Sequence, residues 1–210
     1  MSEMPGSCAV ALALAGRRID AEGADTPRFP LSQVETVRRR MHDLFVGQQI
    51  GAIVRSAAYG ADLVALEEAG KLGIRRRVVL PFAKERFRQT SVVDRPGNWG
   101  EVYDHVIADV ETRGDLIVLP SMVGDEDDAY WVLQLGLNAG APKVSLIAVW
   151  DGNLVGDAKG GTAHMVQIAR AAGTVDVAVF NLEDGSLVAA ALRPGTSARV
   201  FSKGFIDDAD

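Results

Sequence analysis

The segment that decides the fold is Cys8–Ala15, which reads CAVALALA and is followed by Gly16, Arg17 and Arg18. Its residues are apolar without alternation, a pattern typical of strands in parallel sheets that carry helices on both faces. The segment is far shorter than the roughly 20 residues that cross a bilayer. No Lys or Arg precedes it, unlike in a signal peptide. We therefore predict that it is the first buried strand of an α/β fold.

Similar apolar segments recur along the chain and alternate with segments of helical spacing. The further predicted strands are Ile50–Val54, Arg77–Leu80, Leu116–Leu119, Val144–Trp150 and Val175–Phe180. The predicted helices are Leu31–Phe45, Asp62–Leu72, Trp99–Val110, Ala129–Leu137 and Ala163–Ala172. This alternation predicts a Rossmann-like, doubly wound, mainly parallel sheet in a three-layer αβα arrangement. Strand order 3-2-1-4-5-6 is favoured over flavodoxin-like orders, and ligands are expected at the carboxyl ends of the strands, where the winding reverses.

The predicted domain covers residues 1–181, and residues 182–210 are predicted to form a C-terminal appendage. Asp184 and Gly185 could close a hairpin between Val177–Asn181 and Leu187–Ala191, because Asp-Gly favours tight hairpin turns. Arg199–Phe201 could add an edge strand to it.

Composition and charge exclude several classes of function. The chain has 210 residues, 48% of them hydrophobic, and its 22 glycines follow no period, so it is neither disordered nor fibrous. A net charge of −6 disfavours a nucleic-acid partner. The single Cys8 excludes an internal disulfide framework and favours a cytoplasmic location, and no membrane partner is expected. The clustered arginines Arg17–Arg18, Arg38–Arg40 and Arg75–Arg77 leave a local basic patch open, with a solvated helix face and a helix C-terminal turn as the favoured interpretations of the last two.

Three loops after predicted strands carry candidate ligand-binding residues. After the first strand, Gly16 would let a ligand approach the backbone and Arg17 and Arg18 would hold a phosphate, unless the three only form a tight turn. After the second strand, Ser56–Asp62 leads into a helix whose free N–H groups suit a phosphate or carboxylate. The alternative there is that Gly60 makes the turn and Asp62 caps the helix.

The loop after the fifth strand gives the strongest local signal. Paired glycines and a threonine at a helix start form an anion cradle, and the alternative is a flexible loop with Thr162 as N-cap. Tyr59 or Trp150 would stack on a base. The candidate ligand-binding residues are therefore Gly16, Arg17, Arg18, Ser56, Tyr59, Gly60, Asp62, Asp151, Gly160, Gly161, Thr162 and His164.

Other features of the chain carry less information. The loop Pro81–Asn98 would be a lid over the crevice or an ordinary solvated excursion. Asp125–Asp128 would bind Mg²⁺ or open a helix, where acidic residues are favoured without a metal. The three histidines share no ligand spacing with each other or with Cys8, and no Gly-x-Ser-x-Gly elbow is found. No metal, cofactor or serine nucleophile is therefore expected.

Together, several of these motifs resemble the SLOG superfamily, which links the DNA-processing protein DprA (SMF) with the LOG nucleotide hydrolases. The resemblance spans roughly residues 8–180 and is nearest to modules found beside bacterial signalling and conflict domains. The motifs that carry it are Leu14–Arg18, Ser56–Asp62, Val78–Phe82, Trp150–Gly152 and Gly160–Thr162.

The resemblance implies a Rossmann-like module that binds a nucleotide or nucleotide-derived ligand. In LOG enzymes a Pro-Gly-Gly-x-Gly-Thr-x-x-Glu motif holds the phosphate and supplies a Glu for N-glycosidic cleavage. No Glu follows Thr162 here, so Glu67, Glu68 or Asp151 would have to act instead. We predict binding or sensing of such a ligand, with an N-glycosidase (phosphoribohydrolase or deoxyribosyltransferase-like) as the alternative and a ligand-free scaffold as the second. The predicted apolar helix at Trp131–Leu137 leaves a homo-oligomer open.

Overall fold

The computed structural model describes residues 10–48, 50–119, 144–150, 161–171, 176–180, 187–191 and 199–201. Its strands, all in one sheet, are β1 Val10–Gly16, β2 Ile50–Arg55, β3 Arg75–Leu80, β4 Leu116–Val118, β5 Val144–Val149, β6 Asp176–Phe180, β7 Leu187–Ala191 and β8 Arg199–Phe201. Their order is β4-β3-β2-β1-β5-β6-β7-β8. The neighbours from β4 to β6 pair in parallel, which confirms the predicted α/β fold with its mainly parallel sheet.

The helices connect the strands and cover both faces of the sheet. They are α1 Val34–Gly47, which follows a 3-10 turn at Leu31–Gln33, then α2 Ala61–Lys71, α3 Lys84–Ser91, α4 Trp99–Thr112 and α5 Thr162–Ala171. The predicted helix at Ala129–Leu137 lies outside the described residues. Within the described part of the chain, no helix is long and apolar enough to cross a membrane.

The core is divided by the sheet into two clusters, as the period-two alternation of a strand requires. Leu12 and Leu14 of β1 belong to the cluster that α1, α2 and α4 cover. Ala13 and Ala15 point to the opposite face, where α5 packs. The first apolar run is therefore buried on both faces, and the αβα layering follows from it.

The strand order corrects one prediction. The expected order 3-2-1-4-5-6 places the fourth strand beside the first, whereas β4 pairs with the outer side of β3, Val78 lying opposite Leu116. Asp115, which directly precedes β4, forms ion pairs with Arg75 and Arg77 at the start of β3. These ion pairs hold β4 at that edge, so the winding reverses one strand later, between β1 and β5.

The same ion pairs correct the interpretation of Arg75–Arg77. The three arginines open β3 instead of ending a helix. Arg76 is buried between α2 and α4, where it donates to the Leu66 carbonyl oxygen at 3.2 Å and to the Asp109 carboxylate at 2.5 Å. A cluster that sequence alone placed in a solvated helix turn is therefore part of the sheet.

The segment Pro81–Asn98 is not the loop that was predicted, because Lys84–Ser91 forms the helix α3. Straight-chain Lys, Glu, Arg and Gln residues favour a helix, but only Phe87 and Ser91 of this segment are buried. Phe87 contacts Tyr103 of α4, with ring centroids 6.2 Å apart. So few buried positions give no helical periodicity in the sequence.

Two antiparallel strands continue the sheet beyond β6. Phe180 of β6 lies opposite Leu187 of β7, and Leu187 lies opposite Phe201 of β8. Residues 187–191 and 199–201 thus share one sheet with β1–β6.

Candidate functional site

The carboxyl ends of β1 and β5 lie side by side at the point where the winding of the sheet reverses. The backbone N–H of Arg17 donates to the Val149 carbonyl oxygen at 3.1 Å, so the chain leaving β1 is fixed against the end of β5. Ligands of doubly wound sheets bind in the crevice outside this switch point. The strands β2, β1 and β5 are adjacent and parallel, so their carboxyl ends lie at one edge of the sheet.

Gly16 is required here for packing. A Cβ built on it would lie 2.2 Å from the Cβ of Ala61, the first residue of α2. The absence of a side chain at the end of β1 therefore lets the first turn of α2 approach the sheet, as a glycine does in dinucleotide-binding turns.

Gly60 brings the turn before α2 against the loop after β1. Its φ is +93°, and a Cβ there would lie 2.8 Å from the Arg17 carbonyl oxygen. The Ala61 N–H donates to that same oxygen at 3.3 Å, and the Leu63 N–H donates to the Ala58 carbonyl oxygen at 3.2 Å. Two N–H groups of the first turn of α2 thus bond to protein, which corrects the prediction of an open anion cradle there.

Ser56 and Asp62 form a buried polar cluster with Arg55, the last residue of β2. The Ser56 hydroxyl donates to the Asp62 carboxylate at 2.5 Å, and Arg55 Nε lies 2.8 Å from the same carboxylate oxygen. All three residues are buried. Burial raises the pKa of the Asp62 carboxyl, against the opposing influence of Arg55 and Ser56. Asp62 is therefore not the N-cap of α2, a position that Gly60 occupies.

Tyr59 is covered by arginines from two different segments. The guanidinium carbon of Arg18 lies 5.8 Å from the centre of the Tyr59 ring, and that of Arg95 lies 5.7 Å from it. Tyr59 is only 1% exposed and Trp150 3% exposed, so neither ring is open to stack on a base as predicted. Burial also raises the pKa of the Tyr59 hydroxyl, which the two cations oppose.

The start of α5 lies at the same edge but on the other face of the sheet. Thr162 is buried, His164 is half-buried, and the Met165 N–H donates to the Gly161 carbonyl oxygen at 3.1 Å. Ala163 packs in the cluster opposite α2. The loops after β1 and β2 are thus in direct contact, whereas the α5 start flanks them across the sheet. The predicted site residues Asp151 and Gly160 lie outside the described residues.

Two arginines at this edge were missed by the sequence prediction. Arg55 ends an apolar strand. Because a buried cation needs a partner nearby, an arginine at this position could have indicated a buried ion pair. Arg95 lies in the segment that was predicted to be a loop, and nothing local to it predicts its position beside Tyr59.

Metal ligation finds no support in the described ranges, which contain no group of three His, Cys, Asp or Glu residues that could hold an ion. The predicted acidic segment Asp125–Asp128 falls outside them. The chain matches no protein-family model, and no curated protein is significantly similar to it.

Proposed function

We propose that the protein binds a nucleotide or a nucleotide-derived small molecule at the carboxyl edge of its sheet, beside the ends of β1 and β5. The observation that carries this proposal is the anchoring of the segment after β1. Its Arg17 N–H bonds to β5 and its Arg17 carbonyl oxygen accepts from α2. Arg17 and Arg18 are thereby held at the switch point, and arginine is the side chain best suited to bidentate phosphate binding.

The start of α5 supports the proposal from the other face of the sheet. Gly161 precedes the helix, and Thr162 supplies a hydroxyl in its first turn. Free N–H groups at a helix start attract anions. A ligand in the crevice would therefore meet arginines from one side and a helix start from the other.

The test is thermal unfolding of the whole chain with nucleosides and with mono-, di- and cyclic nucleotides. A ligand at 100 times its Kd stabilises the native state by about 2.7 kcal/mol. We expect this stabilisation to disappear in an Arg17→Ala/Arg18→Ala variant and to persist in Arg39→Ala, which alters an exposed arginine of α1. If none of the nucleotides stabilises folded protein, the proposal is wrong.

An N-glycosidase is the second candidate function, carried over from the sequence prediction. Asp62 is not a suitable carboxylate for it, because it is 2% exposed and paired with Arg55. Glu67 and Glu68 are less suitable than predicted, because both bind Arg38 of α1. Asp151 is then the remaining carboxylate of the sequence prediction, so incubation with nucleoside monophosphates should release free base from wild type and not from Asp151→Asn, whereas no release from wild type leaves only the binding role.

We also propose the remaining predictions made from the sequence, namely membership of the SLOG superfamily, a signalling role and a cytoplasmic location. A scaffold without a ligand is the competing interpretation, and it requires that Thr162→Trp, which places a large side chain at the α5 start, leave every activity unchanged.

A further inference from the structure

Arg18 and Arg95 converge on Tyr59 from segments that are far apart in sequence. Arg18 follows β1, whereas Arg95 follows α3. Both guanidinium carbons lie within 6 Å of the centre of the Tyr59 ring. The two carbons are therefore at most about 11.5 Å apart. Arg18 and Arg95 are called the arginine pair below.

The charges of the arginine pair are incompletely neutralised. Arg18 has no ion pair with a carboxylate in the part of the chain that the structure describes, and it is exposed. Arg95 contacts its neighbour Asp94, with Nη1 and Oδ2 3.3 Å apart. Its Nε is buried and has no hydrogen-bond partner among the described residues.

Stacking on a ring leaves the N–H edge of a guanidinium group available. The aromatic face attracts the flat side of the cation, while the N–H donors lie in its plane and can still bind an anion bidentately. Tyr59 thus positions both cations: Arg18 also hydrogen-bonds to the Tyr59 hydroxyl, and each guanidinium group has further N–H donors. Two cations held around one ring suit a group with more than one negative charge.

The arginine pair is rigidly connected to the switch point. Arg18 directly follows Arg17, whose main chain bonds to β5 and to α2. The Tyr59 N–H donates to the Ser91 carbonyl oxygen at 3.0 Å, which fixes the turn before α2 to the end of α3. A ligand held at the end of β1 therefore lies next to both arginines.

We propose that Arg18 and Arg95 bind a second phosphate group of the ligand, so that the ligand class is a nucleoside diphosphate or another nucleotide with at least two phosphates. This inference rests on the proposed function for the nucleotide itself. The first phosphate lies at the switch point, and the second extends along the surface toward Tyr59. Arg95 is then a specificity-determining residue.

The experiment compares AMP with ADP and GMP with GDP by isothermal titration calorimetry, using the full chain and inorganic pyrophosphate as a separate probe. In wild type we expect the diphosphates to bind at least about tenfold tighter than the monophosphates, which corresponds to about 1.4 kcal/mol. Arg95→Ala should bring this ratio close to one with monophosphate affinity unchanged. Arg18→Ala should lower the affinity for both classes of nucleotide, and that for the diphosphates more, because Arg18 also lies beside the first phosphate at the switch point.

Arg86→Ala is the matched control. Arg86 lies over the Phe82 ring at 4.8 Å, so it makes the same kind of stacking contact in the same part of the chain without approaching Tyr59. The control should keep the full diphosphate preference. Far-ultraviolet circular dichroism and the thermal midpoint establish that each variant is folded.

The outcomes separate this inference from the proposed function. Equal affinity for mono- and diphosphates in wild type overturns the second phosphate subsite and leaves nucleotide binding intact. An equal loss of both affinities in Arg95→Ala also overturns it, because Arg95 would then contact the shared phosphate. If no nucleotide binds, the proposed function is wrong, and binding of pyrophosphate that needs Arg18 and Arg95 still supports the subsite. Failure of pyrophosphate as well overturns both.

Discussion

The arginines at the amino ends of the strands (the amino edge) and those at the carboxyl ends (the carboxyl edge) have different partners. At the amino edge, Arg75 donates two hydrogen bonds to Asp115, at 2.9 and 2.7 Å, and Arg76 bonds to Asp109. At the carboxyl edge, Arg18 has a tyrosine ring for a neighbour and no carboxylate partner in the described ranges. Arginines of the amino edge join strands and helices, whereas Arg18 at the carboxyl edge is exposed and lies over an aromatic ring.

The carboxyl edge nevertheless contains the buried ion pair Arg55–Asp62. Removing one partner of this pair should give the largest loss of stability. Asp62→Ala leaves the buried guanidinium of Arg55 without its carboxylate, which costs about 3–5 kcal/mol of unfolding free energy. Urea denaturation followed by circular dichroism measures the loss.

The control for this prediction replaces both partners. Arg55→Met/Asp62→Leu removes the two charges together and should recover most of the stability that Asp62→Ala loses, because a buried ion pair is often no better than apolar residues of similar volume. If Asp62→Ala is as stable as wild type, the pair is not a structural element of this edge and the contrast between Arg55 and Arg18 is lost.

The second effect tests how closely the carboxyl-edge loops pack. Gly60→Ala should lose about 1–3 kcal/mol, because its φ is +93° and the new Cβ would lie 2.8 Å from the Arg17 carbonyl oxygen. Gly73→Ala is the control for a positive φ without a close contact, since Gly73 has a φ of +70° with nothing within 4 Å of its Cβ position. Gly60 in addition has a ψ of −132°, which adds to its backbone strain. Thermal unfolding of both variants gives the difference, and equal losses would mean that backbone strain alone matters at Gly60.

Sequence predicted the layers of this fold well, because they depend on local patterns. The unalternating run that became β1 requires cover on both faces, and Leu14 and Ala15 do point to opposite helices. The position of β4 was predicted wrongly, because it depends on Asp115 meeting Arg75, a contact between distant residues. No local pattern encodes it.

The candidate site likewise has features that the sequence predicted and contacts that it did not. Gly16 was singled out correctly as a position that permits close approach, but what approaches it is Ala61 of α2. Tyr59 was expected to be open, but it is buried in the main core cluster, and Arg95 reaches its ring from a segment whose helix has too few buried residues to be recognised. Which side chains meet at an edge is a tertiary property, so the sequence predicts the loops and not the contacts between them.

The third effect is the acid sensitivity of the amino edge. The hydrogen bonds from Arg75 lower the pKa of the Asp115 carboxyl, so the folded state binds the proton less readily than the unfolded chain. This contribution to stability is complete above the unfolded pKa of about 3.9 and is lost as the pH falls below it. Asp115→Asn should therefore lose stability at neutral pH and show a shallower decline between about pH 4 and pH 2. Urea midpoints across that range measure the slope, and a slope identical to wild type contradicts the prediction.

The smallest effect comes from an ion pair that has the geometry of Arg75–Asp115 but whose carboxylate is exposed. Arg88 of α3 donates two hydrogen bonds to Asp104 of α4, both at 2.8 Å, but the Asp104 side chain is 55% exposed against 5% for Asp115. Water and salt screen the exposed pair, and holding two long side chains together offsets much of what remains. Asp104→Asn should therefore change the urea midpoint much less than Asp115→Asn at neutral pH, and added NaCl should remove most of the remaining difference from wild type. Equal losses in the two variants would show that geometry and not burial sets the strength of these pairs, and the amino edge would then owe its stability to hydrogen-bond number alone.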